Sequence, residues 1–563
     1  MKNYKQYLMI ALLSLVSASC KKYLDRTPGI ALDEAKVFSD PVQAARFADN
    51  AYNYLINDYV RFNDHRGCTS QASDEAVTGN SEYTVTTLNR GLYFDHSTAA
   101  YLNDIGDVYA NMYAGIAVTN KMLDKISTVP AAAIFPAARV EGEMHFLRGF
   151  FYFELIKRFG GVPLLTKPYG VNDDVNLPRS SYDECLSVII ADCDKATTLL
   201  GNDADYGASN YGRATKGAAM ALKARALLYA ASPLNNSTGD KAKWKLAADA
   251  AKAVMNLNLY SLSPTYEDML NLASSPEYIM IKIRGPRAID GIFADFAMSP
   301  SSGGAQGQMD PTQNHVDMYQ MQATGKDITD PTSGYNPQKP YLGRDPRFYA
   351  NICYNGQVWQ GKTMDTWLQF DGTGKVIAHG KDIDPSAITY TATSYYCKKY
   401  WPEVYNRVGG STTLLNYIYF RYGEVLLNYA EAQNEYLDAP DASVYAAINA
   451  IRQRTAVNMP VLPAGLTRDQ MRVAIRHERA IELAFEDHRW YDIMRWQIGP
   501  TVLTVPMNGM KVVKNADGSF TYTPTVLGTS FQKIYTSIQD RYPFPRAEIY
   551  KSKGVLVQNP GWN

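Results

Sequence analysis

The sequence predicts a mostly α-helical protein: antiparallel helix pairs form a scaffold, and a loop- and hairpin-rich part is inserted between them. Three observations point there. Apolar residues recur at helical spacing through most of 41–257 and again through 419–496. The stretch between them, about 264–411, has a different texture, rich in Gly, Pro, Asn, Thr and Tyr with only short apolar runs. And 476–496 (RHERAIELAFEDHRWYDIMRW) continues an amphipathic pattern begun at Met471.

Taken in order, the chain opens on a processing segment. Lys2 and Lys5 precede an apolar run from Leu8 to Val16, followed by Ser17, Ala18, Ser19 and Cys20. The run is too short to span a bilayer and fits a secretory leader over 1–19. Residues 20–40 read as an extended, Pro-containing tether, and 41–60 as an amphipathic helix. From 63 to 98 the chain turns polar, with Tyr83, Tyr93 and Phe94 set among Asp, Asn, Gly and Thr. A helix follows over about 104–125.

Residues 138–163 form a wide apolar helix: Met144, Leu147, Phe151 and Leu155 keep helical spacing, and Phe146, Phe150 and Phe153 broaden the face. A face that wide needs cover on more than one side. Gly160, Gly161 and Pro163 stop it. Helices are expected at 181–200, 213–232, 242–257, 419–438 and 441–456, with Ala and Gly at close contacts, as in tetratricopeptide-like pairs. In the insertion, Asp371-Gly-Thr-Gly374 reads as a hairpin turn, and Asn515-Ala-Asp-Gly518 does the same further on. Over 467–496, Thr467 and Gln470 make a capping-box pattern. Met471, Ile475, Ile481, Ala484 and Phe485 predict one buried face of a single long helix. Its opposite face carries Arg472, Arg476, Glu478, Arg479, Glu482 and Glu486, and Gly499-Pro500 ends it.

Composition narrows function. Lys+Arg and Asp+Glu are both 56, which removes the electrostatic case for nucleic acid. Beyond Cys20 five cysteines remain, Cys68, Cys185, Cys193, Cys353 and Cys397; the odd number and long spacings argue for buried thiols rather than bridges or zinc. Gly356-Gln-Val-Trp-Gln-Gly361-Lys362-Thr363 satisfies the phosphate-loop pattern, but no amphipathic helix pattern starts at Lys362, so strand-turn-strand is the better reading. His477-Glu478 begins a zinc-protease pattern whose second His is replaced by Ile481. Glu141 and His145 lack a second such pair. No cofactor, metal or nucleophile motif remains, although a pair of acids for glycoside hydrolysis is not legible from spacing. His488, Trp490, Trp496 and Trp562 are assigned to packing.

The binding candidates are aromatic rings in polar loops: Tyr83, Tyr93, Phe94, Phe293, Phe296, Trp359, Trp367, Tyr395, Tyr396 and Trp401. A sugar ring stacks its C–H face on an aromatic plane while its hydroxyls seek nearby polar groups.

Four stretches carry a resemblance. ERAIELAFEDHRWYDIMRW, the block ARVEGEMHFLRGFFYFELIKRFGGVPL, the start CKKYLDRTP and the tail RYPFPRAEIYKSKGVLVQNPGWN are similar to motifs of the SusD/RagB family. These are nutrient-binding lipoproteins of the Bacteroidetes outer membrane. Ser17-Ala-Ser-Cys20 resembles a lipobox, with Ser17 where the pattern usually has Leu. The resemblance implies lipidation at Cys20 and one SusD-like unit over 41–563. Its helical scaffold would occupy about 41–263 and 412–563, with a ligand-binding insertion over about 264–411. It implies a cell-surface protein, not an enzyme, that captures an oligosaccharide or other nutrient for a SusC-like TonB-dependent transporter. A surface glycosidase and a protein-binding adaptor are the alternatives.

Overall fold

The computed structural model describes residues 34–59, 67–79, 85, 89–90, 106–170, 172–286, 298–304, 307, 309–387 and 390–562. Cys20, the leader and most of the expected tether lie outside these. Within the expected tether, Glu34–Ser39 is helix α1, not extended chain, and buries Phe38. Helix α2, Pro41–Asn50, follows, with Asp40 Oδ1 accepting from Val42 N at 2.8 Å.

The scaffold helices are α3 (Gly106–Lys125), α4 (Ala137–Phe159), α5 (Tyr182–Leu199), α6 (Lys216–Ala231) and α7 (Lys241–Met255). After the insertion come α10 (Tyr422–Tyr436), α11 (Ala442–Arg452), α12 (Arg468–Glu482) and α13 (Arg489–Trp496). Each of α3 to α7 packs on the next, and α7 packs directly on α10, so the array continues across the interruption. Helix α4 is buried almost all round, as its aromatic width requires: Phe146, Phe151 and Phe153 are fully covered. At its end Gly160 takes φ +75°. At Gly161 a Cβ would come within 2.0 Å of the Ser180 carbonyl oxygen, so the turn into α5 needs glycine there. Ser181 and Glu184 then cap α5 reciprocally, at 3.1 and 2.7 Å.

Strand β2 (Tyr278–Lys282) near the start of the insertion pairs antiparallel with β10 (Tyr417–Arg421) at its end, so the inserted chain leaves and returns through one ladder. The expected helix start at 419 is therefore a strand, and α10 begins at Tyr422. Between them lie β3 (Asp310–Pro311), paired with β1 (Ala76–Val77), then α8 (Gln313–Asp317) and α9 (Pro346–Asn351). β4 (Ile352–Cys353) pairs with β9 (Tyr396–Cys397), and β5 (Val358–Trp359) with β6 (Lys362–Thr363). β7 (Leu368–Phe370) and β8 (Val376–His379) flank the Asp371–Gly374 turn. β11 (Asn508–Lys514) and β12 (Phe520–Val526) flank the 515–518 turn, and the two hairpins join into a four-stranded sheet in the order β12-β11-β7-β8.

The expected single helix over 467–496 is broken. Phe485 and Asp487 take φ of +61° and +67°, and Gln497, at φ +55°, ends α13 before Gly499. A bulky residue in the left-handed region is costly. The surrounding bonds hold it: Phe485 N donates to Glu75 Oε1 at 3.0 Å, and Tyr400 OH donates to Phe485 O at 2.8 Å. Four of the six residues of the supposed polar face are not solvated either. Glu478, Arg479, Glu482 and Glu486 are all at most 5 % exposed.

Candidate functional site: a cleft in the loop-rich part

The insertion is pinned to the scaffold by a buried ionic network. Arg421, from the end of β10, donates to Glu277 (2.7 Å), Glu482 (2.8 Å) and Glu486 (2.7 Å). Arg454 donates to Glu277 and Glu482 at 2.9 and 2.6 Å. Arg347 at the start of α9 reaches Asp345, Glu478 and Glu482; Arg452 reaches Glu478, and Lys399 reaches Glu486. Five carboxylates thus face five cations, and burial without such balance would be prohibitive. Burial opposes ionisation of Glu482, but the charges of Arg454, Arg421 and Arg347 outweigh it and hold the carboxyl at about 2. The break in the expected helix places Glu486 where Arg421 and Lys399 can both reach it.

On this base the β5–β6 hairpin and the loop 402–410 enclose an open cleft of ≈ 480 Å³. Gln360, at φ +52°, and Gly361, at φ +71°, form the two-residue turn between the strands, the geometry that matches strand twist. Gln360 N donates to Glu403 Oε1 at 2.6 Å, and Gly409 N to Asn406 Oδ1 at 2.9 Å, which shape the two walls. Arg407 Nη1 donates to Gly303 O, so the second wall is tied to 298–304, the chain directly after Phe293 and Phe296. Lys362, Glu403 and Asn406 are exposed, while Val404 and Val408 are 86 and 74 % exposed beside them. Donors, acceptors and apolar patches in one open cleft suit a polyhydroxylated ligand. Among the described lining residues Glu403 is the single carboxylate, whereas glycoside hydrolysis by paired acids needs two.

The aromatic platform expected from the sequence is corrected at four of its ten rings. Trp359, Tyr395 and Tyr396 are 0 % exposed and Trp401 is 1 % exposed. Strands two or three residues long supply little core, so these rings fill the insertion from within. Tyr395 OH donates to Gln313 Oε1 and Tyr396 OH to the Asp382 carbonyl, both at 2.7 Å, while Trp401 stacks on Tyr405 at 5.5 Å. Trp367 is half-buried, and Lys514 Nζ lies 4.3 Å from its ring centroid. Tyr83, Tyr93, Phe94, Phe293 and Phe296 fall outside the described residues. Gln360, Glu403 and Asn406 were missed; the phosphate-loop match did touch Gly361 and Lys362, but for a chemistry the hairpin does not offer, since no helix N-terminus follows. The remaining packing assignments hold: Trp490, Trp496 and Trp562 are 1, 4 and 6 % exposed, and burial lowers His488 to about 4. The five described cysteines are free and buried, Cys185 and Cys193 both on α5.

Comparison with known proteins agrees with this architecture. A profile described as "SusD family" matches residues 277–562, and one described as "Starch-binding associating with outer membrane" matches 22–228. A SusD-like protein of Formosa agariphila, P2, is 26 % identical over 438 residues, 75 % of this chain and 74 % of that one. Another, P38, is 25 % identical over 91 % of this chain and 95 % of its own. A crystal structure of a SusD-like protein from Bacteroides fragilis superimposes with a TM-score of 0.74 and 28 % identity, covering 94 % of this chain and 98 % of that one. A SusD-like carbohydrate-binding protein from the same species shares the fold, with a TM-score of 0.75 at 22 % identity over 92 % of this chain and 99 % of its own. No described helix is long and apolar enough to cross a membrane. With both profiles and the fold in agreement, the chain belongs to the SusD family, starch- and carbohydrate-binding proteins that associate with the outer membrane.

Proposed function

We propose that this protein is a cell-surface lipoprotein, anchored through Cys20, that captures a glycan without cleaving it and passes it to a SusC-like TonB-dependent transporter. The observation that carries the reading is the open cleft between the β5–β6 hairpin and the loop 402–410. It offers Lys362, Glu403 and Asn406 to hydroxyls on a base fixed by buried ion pairs. The loops bearing Tyr83, Tyr93, Phe94, Phe293 and Phe296 are the proposed source of stacking rings, with half-buried Trp367 the remaining described candidate. Family membership supports a carbohydrate ligand over a nucleotide or metal. The helical scaffold, remote from the glycan, is the proposed face toward the transporter.

The test is retardation in native gels cast with single polysaccharides. The wild-type chain should be slowed by at least one of them, and a Lys362→Ala/Asn406→Ala double variant should lose about tenfold in affinity, roughly 1.4 kcal/mol. Equal retardation of both proteins would remove the cleft from the binding site. Recovery of a Cys20→Ala variant still tightly bound to membranes would count against the anchor.

A further inference from the structure

Away from the loop-rich part, the helical scaffold holds a second cleft of ≈ 560 Å³. It opens between the turn joining α6 to α7 and the helices α10, α12 and α13, with Trp244, Ile475, Arg476 and Trp496 among its walls. Two acids and two arginines line it, but they are not evenly paired. Glu431 accepts from Arg495 through both oxygens, at 2.5 and 2.7 Å, and from Trp496 Nε1 at 2.7 Å. Glu435 accepts from Arg472 through both oxygens at 2.5 Å. Both acids of the cleft are therefore already engaged bidentately by other arginines. Among the described residues no carboxylate lies within ion-pair distance of Arg476, whose guanidinium instead rests over the Trp496 ring, 4.7 Å from its centroid.

A guanidinium stays charged in any protein setting, and its planar fork matches a carboxylate. Held on an indole, it is also pre-oriented, so less side-chain freedom is lost when a partner arrives. Burial lowers the Arg476 pKa from its ordinary value, opposed by the charges of Glu431 and Glu435 and aided by those of Arg495 and Arg472. The neighbouring Ile475 and Trp244, 1 and 8 % exposed, line the cleft with an apolar edge rather than an open plane. A uronate sugar would also bring a carboxylate, but it needs an open aromatic plane. Trp496 carries Arg476 and Arg495 at 4.7 and 4.6 Å and is 4 % exposed, and Trp244 is 8 % exposed.

We propose that this cleft is a docking site for an acidic peptide segment of a partner protein, with Arg476 taking one carboxylate and the Ile475–Trp244 edge an adjacent apolar side chain. The site is separate from glycan capture, and either can fail without the other.

The experiment is calorimetric titration of the full chain with a capped four-residue peptide alternating leucine and aspartate. The controls are its leucine–asparagine counterpart and trigalacturonate. The aspartate peptide should bind at least tenfold more tightly than the asparagine peptide, and more weakly as salt is raised. Arg476→Gln should erase that preference. Glu435→Gln, which releases Arg472 from its carboxylate, should tighten the aspartate peptide severalfold; this arm decides the matter if Arg476→Gln fails to fold. Equal binding of the two peptides, an unchanged preference in Arg476→Gln, tighter binding of trigalacturonate, or no heat at about 10 mM peptide would each overturn the proposal.

Discussion

Glu482 sits where three guanidinium groups converge, and nothing at that position is exposed. Removing its charge leaves Arg347, Arg421 and Arg454 with one carboxylate too few in a site closed to water. Glu482→Gln should therefore cost about 3–5 kcal/mol in urea unfolding. By contrast, the partly exposed Arg472–Glu435 pair should contribute no more than about 1 kcal/mol. A Glu482→Gln loss under 1 kcal/mol would show that the network is not what pins the insertion. The same residue scale explains the tyrosines. Several donate their hydroxyls to loop carbonyls: Tyr349 to Tyr341 at 2.6 Å, Tyr152 to Leu165 at 2.9 Å and Tyr396 to Asp382 at 2.7 Å. These three hydroxyls tie irregular backbone to the core rather than face a ligand.

At the scale of elements, the turn after α4 depends on Gly161, because a Cβ there would strike the Ser180 carbonyl. Gly161→Ala should destabilise by about 1–3 kcal/mol, read as a lowered thermal midpoint; an unchanged midpoint would mean that the α4–α5 corner can shift freely. Most scaffold helices, the Thr467 cap and both long hairpins were legible because periodicity and turn chemistry are local signals: Thr467 with Gln470, and the 371–374 and 515–518 turns, lie where the residues place them. The break at 483–488 was not legible. It is set by Glu75, Tyr400 and Lys399, which are distant in sequence and reach Phe485 and Glu486 only in the folded chain. Burial of Trp359 and Trp401 was hidden for the same reason, since polar neighbours in sequence do not reveal what covers a ring in space. The cleft was half legible: Gly361 and Lys362 stood out, while Glu403 and Asn406 lie some 40 residues on and meet the hairpin only through the fold.

Over the whole molecule, buried ionisation sets the response to acid. Despite burial, Lys157 and Arg158 hold Glu154 at about 2, and Arg225 holds Glu424 at about 2, as Arg454, Arg421 and Arg347 do for Glu482. Folded values below the ordinary 4.5 mean that their stabilisation is complete above that pH and is lost as pH falls toward 2. Half-buried His488 and buried His315, at about 4 and 3, act in the same direction, because the unfolded chain takes up their protons first. Glu75, raised by burial to about 7, opposes them only as pH rises between its unfolded value and 7. The thermal midpoint should fall most steeply between pH 4.5 and 2; a flat profile there would contradict the charge assignments. On the proposed function, this ion-paired frame holds a glycan-binding surface rather than a catalyst. The most direct test of that function is calorimetric titration of residues 21–563 against a panel of polysaccharides and oligosaccharides, with chromatography of the recovered ligand. The account predicts saturable binding to at least one glycan, recovered intact. Shortened products, or no heat with any glycan on the panel, would contradict it.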